Sequence, residues 1–150
     1  MLLHIFQLEV GNMDKFAKKL WENDFGNNEV GYDFDGCEVR KGSYDQKGSQ
    51  YGWNIDHIFP ESMGGSNDFS NLQVTHMETN TERGNKNTFW IDGTKYQIKR
   101  ITHLSENDEV ADYPYNGKEY CIVILEHSAE YYEEEERQWH FAIGDDDYPY

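Results

Sequence analysis

The longest uninterrupted run of apolar residues in this chain is only five residues long, at positions 121–125. A helix needs about 20 predominantly apolar residues to cross a bilayer, so the sequence predicts no membrane span. Aromatic residues nevertheless make up 15% of the 150 positions, which is too much ring surface for a wholly disordered chain. We therefore expect one folded domain with an appendage. The first residues lack the basic start of a secretory signal, so the expected location is the cytoplasm.

Charge is distributed unevenly along the sequence. The chain has a formal net charge of −16, to which its three successive stretches of 50 residues contribute −3, −1 and −12. An anionic partner such as a nucleic acid would therefore meet the near-neutral middle stretch, or the lysines Lys15, Lys18 and Lys19. The acidic last stretch would repel such a partner.

Apolar periodicity predicts a helix in the first part of the chain. Asn12 can cap this helix, in which apolar side chains recur at steps of three and four residues, and Gly26 ends it. Residues 26–52 are rich in Gly, Asn, Asp and Tyr, which indicates a long loop with short strands at most. A weaker apolar pattern over residues 2–10 favours a strand.

The later residues predict strands, two helices and a hairpin. Asp92 and Gly93 supply the positive φ angles that a tight type I′ turn demands, so residues 89–101 should form a hairpin. Pro60 stops the strand before it, and Ser128 can cap a Glu-rich helix. The other predicted elements are strands at 53–59, 72–75 and 120–126, helices at 76–85 and 128–142, and an acidic tail at 144–150.

Asp56 and His57 stand side by side near the end of a predicted strand. The aspartate offers a hard oxygen ligand, and the histidine titrates near neutrality and can act as a base. Asn80, on the predicted helix, can supply a second, neutral oxygen ligand. Two protein oxygens suit Mg²⁺, which keeps several waters and also binds substrate phosphate. The pattern therefore indicates phosphodiester hydrolysis, in which a metal stabilises charge while the histidine takes a proton from the attacking water.

A spaced set of residues surrounds this pair. It consists of Asp56-His57, Pro60, Gly64-Gly65, Asn71-Leu72-Gln73, Asn80 and Lys86. With this spacing, residues 35–87 resemble the HNH endonucleases, a family with the ββα-metal fold. We therefore expect an α+β protein with a ββα-metal nuclease core at 35–87. An N-terminal strand and helix segment at 1–34 would precede the core, and a β-rich acidic C-terminal extension at 88–150, with a β-hairpin and a helix, would follow it.

The resemblance implies roles for four residues. His57 is the general base, and Asp56 and Asn80 bind the divalent metal, which is expected to be Mg²⁺ or Mn²⁺. Asn71 belongs to the same catalytic set because it ties its loop back and so holds His57 in orientation. Neighbouring residues of a strand point to opposite faces, so Asp56 and His57 would reach one site only if the strand bends before Pro60.

His76, Arg83 and Lys86 are further candidates near the site. On a helix His76 lies four residues before Asn80 and shares its face, so it is a candidate for supporting the metal ligands or contacting phosphate. Arg83 and Lys86, near the helix end, are candidate phosphate contacts. His76 stands where zinc-bearing relatives have a cysteine, and the chain has no CxxC pair, so we expect no structural zinc.

These residues predict a metal-dependent endonuclease that acts on DNA, with double-stranded DNA as the leading substrate. One such site cuts one strand, so a double-strand break would need a homodimer or two encounters. The alternative is a non-catalytic or regulated interaction protein whose acidic C-terminal part binds a basic partner or mimics DNA. The net charge of −16 is its best support, because proteins that bind a polyanion usually gain affinity by releasing counterions.

Overall fold

The computed structural model describes residues 13–128. Within that range it contains two α-helices and eight β-strands. In chain order they are α1 (Lys15–Phe25), β1 (Val30–Tyr32), β2 (Glu38–Arg40), β3 (Trp53–His57), β4 (Leu72–His76), α2 (Met77–Arg83), β5 (Thr88–Ile91), β6 (Thr94–Arg100), β7 (Glu109–Val110) and β8 (Tyr120–His127). The predicted strand at 2–10, nearly all of the predicted helix at 128–142 and the acidic tail lie outside the described residues. Neither described helix is long and apolar enough to cross a membrane.

α1 begins two residues later than the sequence pattern predicted. Its cap is Asp14 rather than Asn12, because the Asp14 carboxylate accepts hydrogen bonds from the backbone N–H groups of Phe16 at 2.8 Å and Ala17 at 3.2 Å. These are donors that the first helical turn leaves without a partner. The predicted helix end is confirmed, since Gly26, with a φ of 62°, follows the last residue of α1.

β3 and β4 form an antiparallel hairpin, and α2 follows it directly. The strands pair without a shift in register, from Trp53 opposite His76 to His57 opposite Leu72. The first strand was predicted to reach residue 59, but β3 ends at His57. It ends there because the backbone N–H and C=O of Phe59 bond to a side chain of the following loop instead of to β4. Two antiparallel strands and a helix thus follow one another within the segment that resembles HNH nucleases.

α2 is shorter than the helix predicted over residues 76–85. His76 lies outside the helix, with a φ of −56° and a ψ of 142°, and its Nδ1 atom accepts a hydrogen bond from the backbone N–H of Glu78 at 3.1 Å. The imidazole therefore caps the helix and is not part of its first turn. Gly84, with a positive φ of 61°, ends the helix at Arg83.

The later part of the described chain forms a four-stranded sheet in the order β5-β6-β8-β7. The predicted hairpin is confirmed, because β5 pairs antiparallel with β6 and the two turn residues have positive φ angles, 45° at Asp92 and 82° at Gly93. The predicted strand at 120–126 is also confirmed, as β8. β1 and β2 pair as a small separate hairpin, which agrees with the short strands expected within residues 26–52.

Two clusters of buried apolar side chains hold these elements together. One cluster joins the four-stranded sheet to Phe34 and Ile58. The other lies between α1 and the β3–β4 hairpin, where the ring centroids of Trp21 and Trp53 are 5.2 Å apart. Phe25, the last residue of α1, packs against both clusters. The segment that contains β3 and β4 thus contributes side chains to both cores.

Candidate functional site

Asn71 ties together the loop that joins β3 to β4. Its side chain is completely buried, and its Oδ1 atom accepts a hydrogen bond from the backbone N–H of Phe59 at 2.8 Å. Its Nδ2 group donates to the carbonyl oxygens of Phe59 at 3.1 Å and Ser66 at 2.9 Å. One amide side chain therefore bonds to the backbone at both ends of the loop segment 59–66.

The same loop closes so tightly that one position excludes every side chain. A Cβ atom on Gly65 would lie 1.9 Å from the carbonyl oxygen of Phe59 and 2.8 Å from Nδ2 of Asn71. The backbone N–H of Gly65 also donates to the carbonyl oxygen of Pro60 at 2.9 Å. The two ends of the turn thus approach each other over a glycine, and the second residue of the Gly64-Gly65 pair is required for steric reasons.

His57 is the last residue of β3 and faces this loop. Its Nε2 atom lies 2.7 Å from Oδ1 of Asn67 and 4.0 Å from an oxygen of Glu61. The side chain is 23% exposed, so a water molecule and a phosphate group can approach it. A partly exposed imidazole at the end of a strand has the access that a base acting on water requires.

Asp56, by contrast, is buried and paired with a cation. Its Oδ2 atom accepts hydrogen bonds from Nη1 of Arg83 at 2.5 Å, Nε2 of Gln73 at 3.0 Å and Oγ1 of Thr75 at 3.1 Å. The hydrogen bonds to this carboxylate from described residues all reach Oδ2. Arg83 is 1% exposed and also donates from Nη2 to the carbonyl oxygen of Ile58. Buried charges are tolerated when they are paired and bonded in this way.

The bend predicted between Asp56 and His57 is absent from the strand ladder. Pairing with β4 continues through both residues, and Ile58 then donates its backbone N–H to the carbonyl oxygen of Asn71 at 2.8 Å. Because the register is continuous, the two side chains leave opposite faces of β3. The Asp56 side chain contacts Arg83 of α2, whereas the His57 side chain contacts the loop.

α2 covers the face of β3 that carries Asp56. Asn80 donates from Nδ2 to Oδ1 of Asn54 at 2.8 Å, two residues before Asp56 on the same face of the strand. Asn80 of α2 and Asp56 of β3 thus both belong to the contact between this helix and this strand, and their roles as metal ligands stay a prediction. A carboxylate and an amide oxygen fit a hard divalent cation such as Mg²⁺ or Mn²⁺. Within residues 13–128, no group of three or more His, Cys, Asp or Glu side chains could hold a metal ion.

The three remaining candidates have different surroundings. His76 is 8% exposed, and besides capping α2 its Nε2 atom lies 2.8 Å from the carbonyl oxygen of Gln50. Both of its nitrogens are therefore used in local structure. Arg83 is buried against Asp56 and has no surface to offer a phosphate group. Lys86 is exposed beyond the end of α2, so its ammonium group is open to solvent, and its role as a phosphate contact stays a prediction.

Several residues that shape this site were not predicted from the sequence. Asn54, Gln73 and Thr75 surround Asp56 and Asn80, and Asn67 contacts His57. Strand alternation offered a signal for the first three, because residues at steps of two on paired strands share a face. Asn67 gave no such signal, since its position depends on the path of the loop.

A cavity of about 280 Å³ lies beside the turn between β5 and β6. Its wall includes Asp35, whose Oδ1 accepts a hydrogen bond from the hydroxyl of Tyr96 at 2.5 Å. Burial raises the pKa of Asp35 to about 6 against the opposing effect of this hydrogen bond, and the nearby carboxylates of Asp33 and Asp92 add to the rise. None of the seven predicted site residues, all of which the structure describes, lines this cavity.

Comparison with known families identifies the segment that contains the site. The family model described as HNH endonuclease matches residues 46–89. This range contains all seven predicted site residues, and it begins later than the similarity expected from residue 35. Comparisons with curated proteins and with solved structures find no match. Residues 46–89 of this chain are therefore similar to the HNH endonuclease family, and a domain of this kind suggests nuclease activity.

Proposed function

We propose that this protein is a metal-dependent HNH endonuclease that hydrolyses phosphodiester bonds in DNA, with double-stranded DNA as its leading substrate. The observation that carries the proposal is the arrangement around β3. Asp56 of β3 is bonded to Arg83 of α2, and Asn80 of the same helix is bonded to Asn54 of β3. His57, at the next position of the strand after Asp56, is partly exposed beside a closed loop. The family match covers the same residues and independently supports a nuclease.

The proposed roles divide between the two faces of β3, and because β3 ends at His57 we propose that the phosphate binds across this end of the strand, where side chains from both faces can reach it. Oδ1 of Asp56 and the amide oxygen of Asn80 would hold a divalent metal, which when bound stabilises the charge on the scissile phosphate and the leaving oxygen. His57 accepts a proton from the attacking water as the new P–O bond forms and the bond to the leaving oxygen breaks. Asn71 keeps the loop closed beside His57. Lys86 is available to contact the DNA backbone.

The surroundings of Arg83 support a role different from the phosphate contact that the sequence suggested. It neutralises Asp56 from within the fold and attaches α2 to β3 through the carbonyl oxygen of Ile58. Its removal would leave a buried carboxylate without its cation, which is costly. We therefore propose that Arg83 keeps the metal-ligand pair in place and does not touch DNA.

The central experiment measures nicking of supercoiled plasmid by the full chain in Mg²⁺ and in EDTA. His57→Ala should lower the cleavage rate by about 10²- to 10⁴-fold, the usual cost of removing a positioned base. His103→Ala is the matched control, because His103 is exposed and has no proposed role. Cleavage by His57→Ala at the parent rate would show that the assignment of the base is wrong.

Metal binding provides a second test of the site. Asp56→Asn keeps the shape of the side chain but removes the charge, and Asn80→Ala removes an amide oxygen. Both variants should bind Mn²⁺ more weakly than the parent in calorimetry, and excess Mn²⁺ should restore part of their cleavage. Unchanged Mn²⁺ affinity in both variants would contradict the assignment of Asp56 and Asn80 as ligands.

The same assays separate the nuclease from the alternative interaction protein. If the parent chain cuts no DNA in Mg²⁺ or Mn²⁺ while remaining folded, the acidic interaction protein becomes the better explanation.

The ratio of nicked to linear plasmid tests whether the chain cuts as a monomer or as a homodimer. A single site per chain should release nicked plasmid first, whereas a homodimer would release linear plasmid directly.

A further inference from the structure

Both groups that approach Nε2 of His57 are hydrogen-bond acceptors. Oδ1 of Asn67 lies 2.7 Å away, and an oxygen of the Glu61 carboxylate lies 4.0 Å away. An amide oxygen can only accept a hydrogen bond, so the nitrogen opposite must carry the proton. Neutral His57 beside Asn67 is thus the tautomer with hydrogen on Nε2 and a lone pair on Nδ1.

We propose that Asn67 is a positioning residue that holds His57 in the Nε2–H tautomer and leaves Nδ1 as the atom that accepts the proton of the attacking water. The inference rests on the proposed function of His57 as the general base. If the ring nitrogen that faces the attacking water is itself protonated, the histidine cannot accept the proton of that water, however well its ring is placed. The contact with Asn67 therefore selects the reactive form.

The loop around Asn67 is anchored on its N-terminal side. The carbonyl oxygen of Ser66, its neighbour, accepts a hydrogen bond from Asn71 at 2.9 Å, and Gly65 is bonded to Pro60. The backbone carbonyl of Asn71 also accepts a hydrogen bond from the backbone N–H of Ile58, the residue that follows His57. Asn71 thus fixes the loop segment that carries Asn67, and Asn67 in turn contacts His57.

Glu61 is the other candidate for orienting His57. Its carboxylate is 4.0 Å from Nε2, which is beyond hydrogen-bond distance, and its side chain is 71% exposed. An exposed charge at this distance acts on the imidazole mainly through a screened field and fixes no ring orientation. Asn67, at 2.7 Å, is the partner with hydrogen-bond geometry. Glu61→Gln should therefore leave the tautomer unchanged, which makes it the control.

The test compares Asn67→Ala with Asn67→Asp in the full chain. Asn67→Asp keeps an acceptor oxygen at the same place, whereas Asn67→Ala removes it. Asn67 is exposed, so both variants should fold as the parent does. Nitrogen NMR of the His57 ring near pH 8 should report the Nε2–H tautomer in the parent and in Asn67→Asp, and a mixture of tautomers in Asn67→Ala.

Kinetics provides the second readout. Asn67→Ala should lower kcat by about 10- to 100-fold with little change in KM, a loss of the size found when the partner that orients a metal-bound histidine is removed. Asn67→Asp should recover most of kcat. The proposal is overturned if the parent shows the Nδ1–H tautomer, or if Asn67→Ala retains the Nε2–H tautomer or the parent kcat. Because the NMR signal does not depend on cleavage, an inactive parent with an Asn67-dependent tautomer would contradict the nuclease function and leave the positioning role standing.

Discussion

At the residue scale, Gly65 and Asn71 together fix the shape of the loop between β3 and β4. The glycine lets the backbone of the loop pass within contact distance of Phe59, and the asparagine side chain then bonds to that backbone. Each depends on the other, because a side chain at position 65 would occupy the space of both the carbonyl oxygen and the amide group. The loop beside His57 thus owes its shape to two residues that never contact the reacting atoms.

We predict that Gly65→Ala destabilises the protein and reduces cleavage. The new Cβ atom would lie 1.9 Å from a backbone oxygen, so the loop must open. Overpacking of this kind typically costs about 1–3 kcal/mol. Gly48→Ala is the matched control, because a Cβ atom there meets nothing within 4 Å. Thermal unfolding and plasmid nicking check the prediction, which fails if the two variants behave alike.

Asp35 is the residue at which pH should act on stability. Its pKa is raised by burial to about 6, above the ordinary value of 3.8, so the folded protein binds this proton more tightly than the unfolded chain. Its contribution to the free energy of unfolding therefore falls as pH rises from about 4 to about 6. Well above pH 6 the whole cost of ionising this half-buried carboxyl is present.

Asp35→Asn should remove that cost and keep the acceptor for the Tyr96 hydroxyl. We expect the variant to have a higher Tm than the parent at pH 8, with the advantage disappearing near pH 4. Asp112→Asn, at an exposed aspartate, is the control and should change Tm little at either pH. A Tm of Asp35→Asn that equals or falls below the parent value at pH 8 would contradict the expected effect of burial.

At the element scale, α1 is positioned by its ends and by one buried face. Its cap is a carboxylate, which serves two backbone donors and also interacts favourably with the positive end of the helix dipole. The helix packs against β4, the strand that pairs with the one carrying Asp56 and His57. Stability of α1 is thus linked to the hairpin that carries the site.

Asp14→Ala should lower the free energy of unfolding by about 1 kcal/mol, the typical value of an N-cap. Asp68→Ala is the control, because Asp68 precedes a 3₁₀ turn without making a side-chain cap bond. Urea denaturation of both variants measures the difference. Equal midpoints for the two variants would show that the Asp14 cap contributes nothing to the native state.

At the scale of the whole molecule, a buried ionic network connects the four-stranded sheet region to the nuclease segment. Lys118 is 7% exposed and donates to Asp24 of α1 at 2.7 Å. It also donates to the carbonyl oxygens of Phe69 at 2.9 Å and Leu72 at 2.7 Å, on either side of Asn71. The Tyr113 hydroxyl donates to Asp24 and accepts from the backbone N–H of β4. Residues beyond the matched segment thus hold the start of β4.

We predict that Lys118→Met lowers the free energy of unfolding by about 3–5 kcal/mol, because it leaves the Asp24 carboxylate buried without its cation. Asp24→Asn combined with Lys118→Met should recover part of this loss. Lys47→Met, at an exposed lysine, is the control.

Because Lys118 and Asp24 lie outside residues 46–89, a fragment of these residues should not fold alone, which circular dichroism would detect. A folded, active fragment would show instead that residues 46–89 form an independent core without Lys118.

Features that depend on local chemistry could be predicted from the sequence. The turn at Asp92 and Gly93, the end of α1 at Gly26 and the strand at 120–126 all follow from backbone preferences or short-range apolar patterns. The spacing from Asp56 to Asn80 also led to the family that the comparison found. The cap of α1 was placed wrongly because two nearby residues can both cap a helix, and only the backbone path chooses between them.

Which polar groups meet depends on the folded chain and could not be predicted from the sequence. Arg83 is 27 residues from Asp56, and Lys118 is 94 residues from Asp24, yet each pair is buried in direct contact. A sequence shows that charges exist but not which of them will share a site of low dielectric constant, where pairing is obligatory. The continuous register of β3, which sends Asp56 and His57 to opposite faces, was decided in the same way, by hydrogen bonds to a strand that follows a long loop.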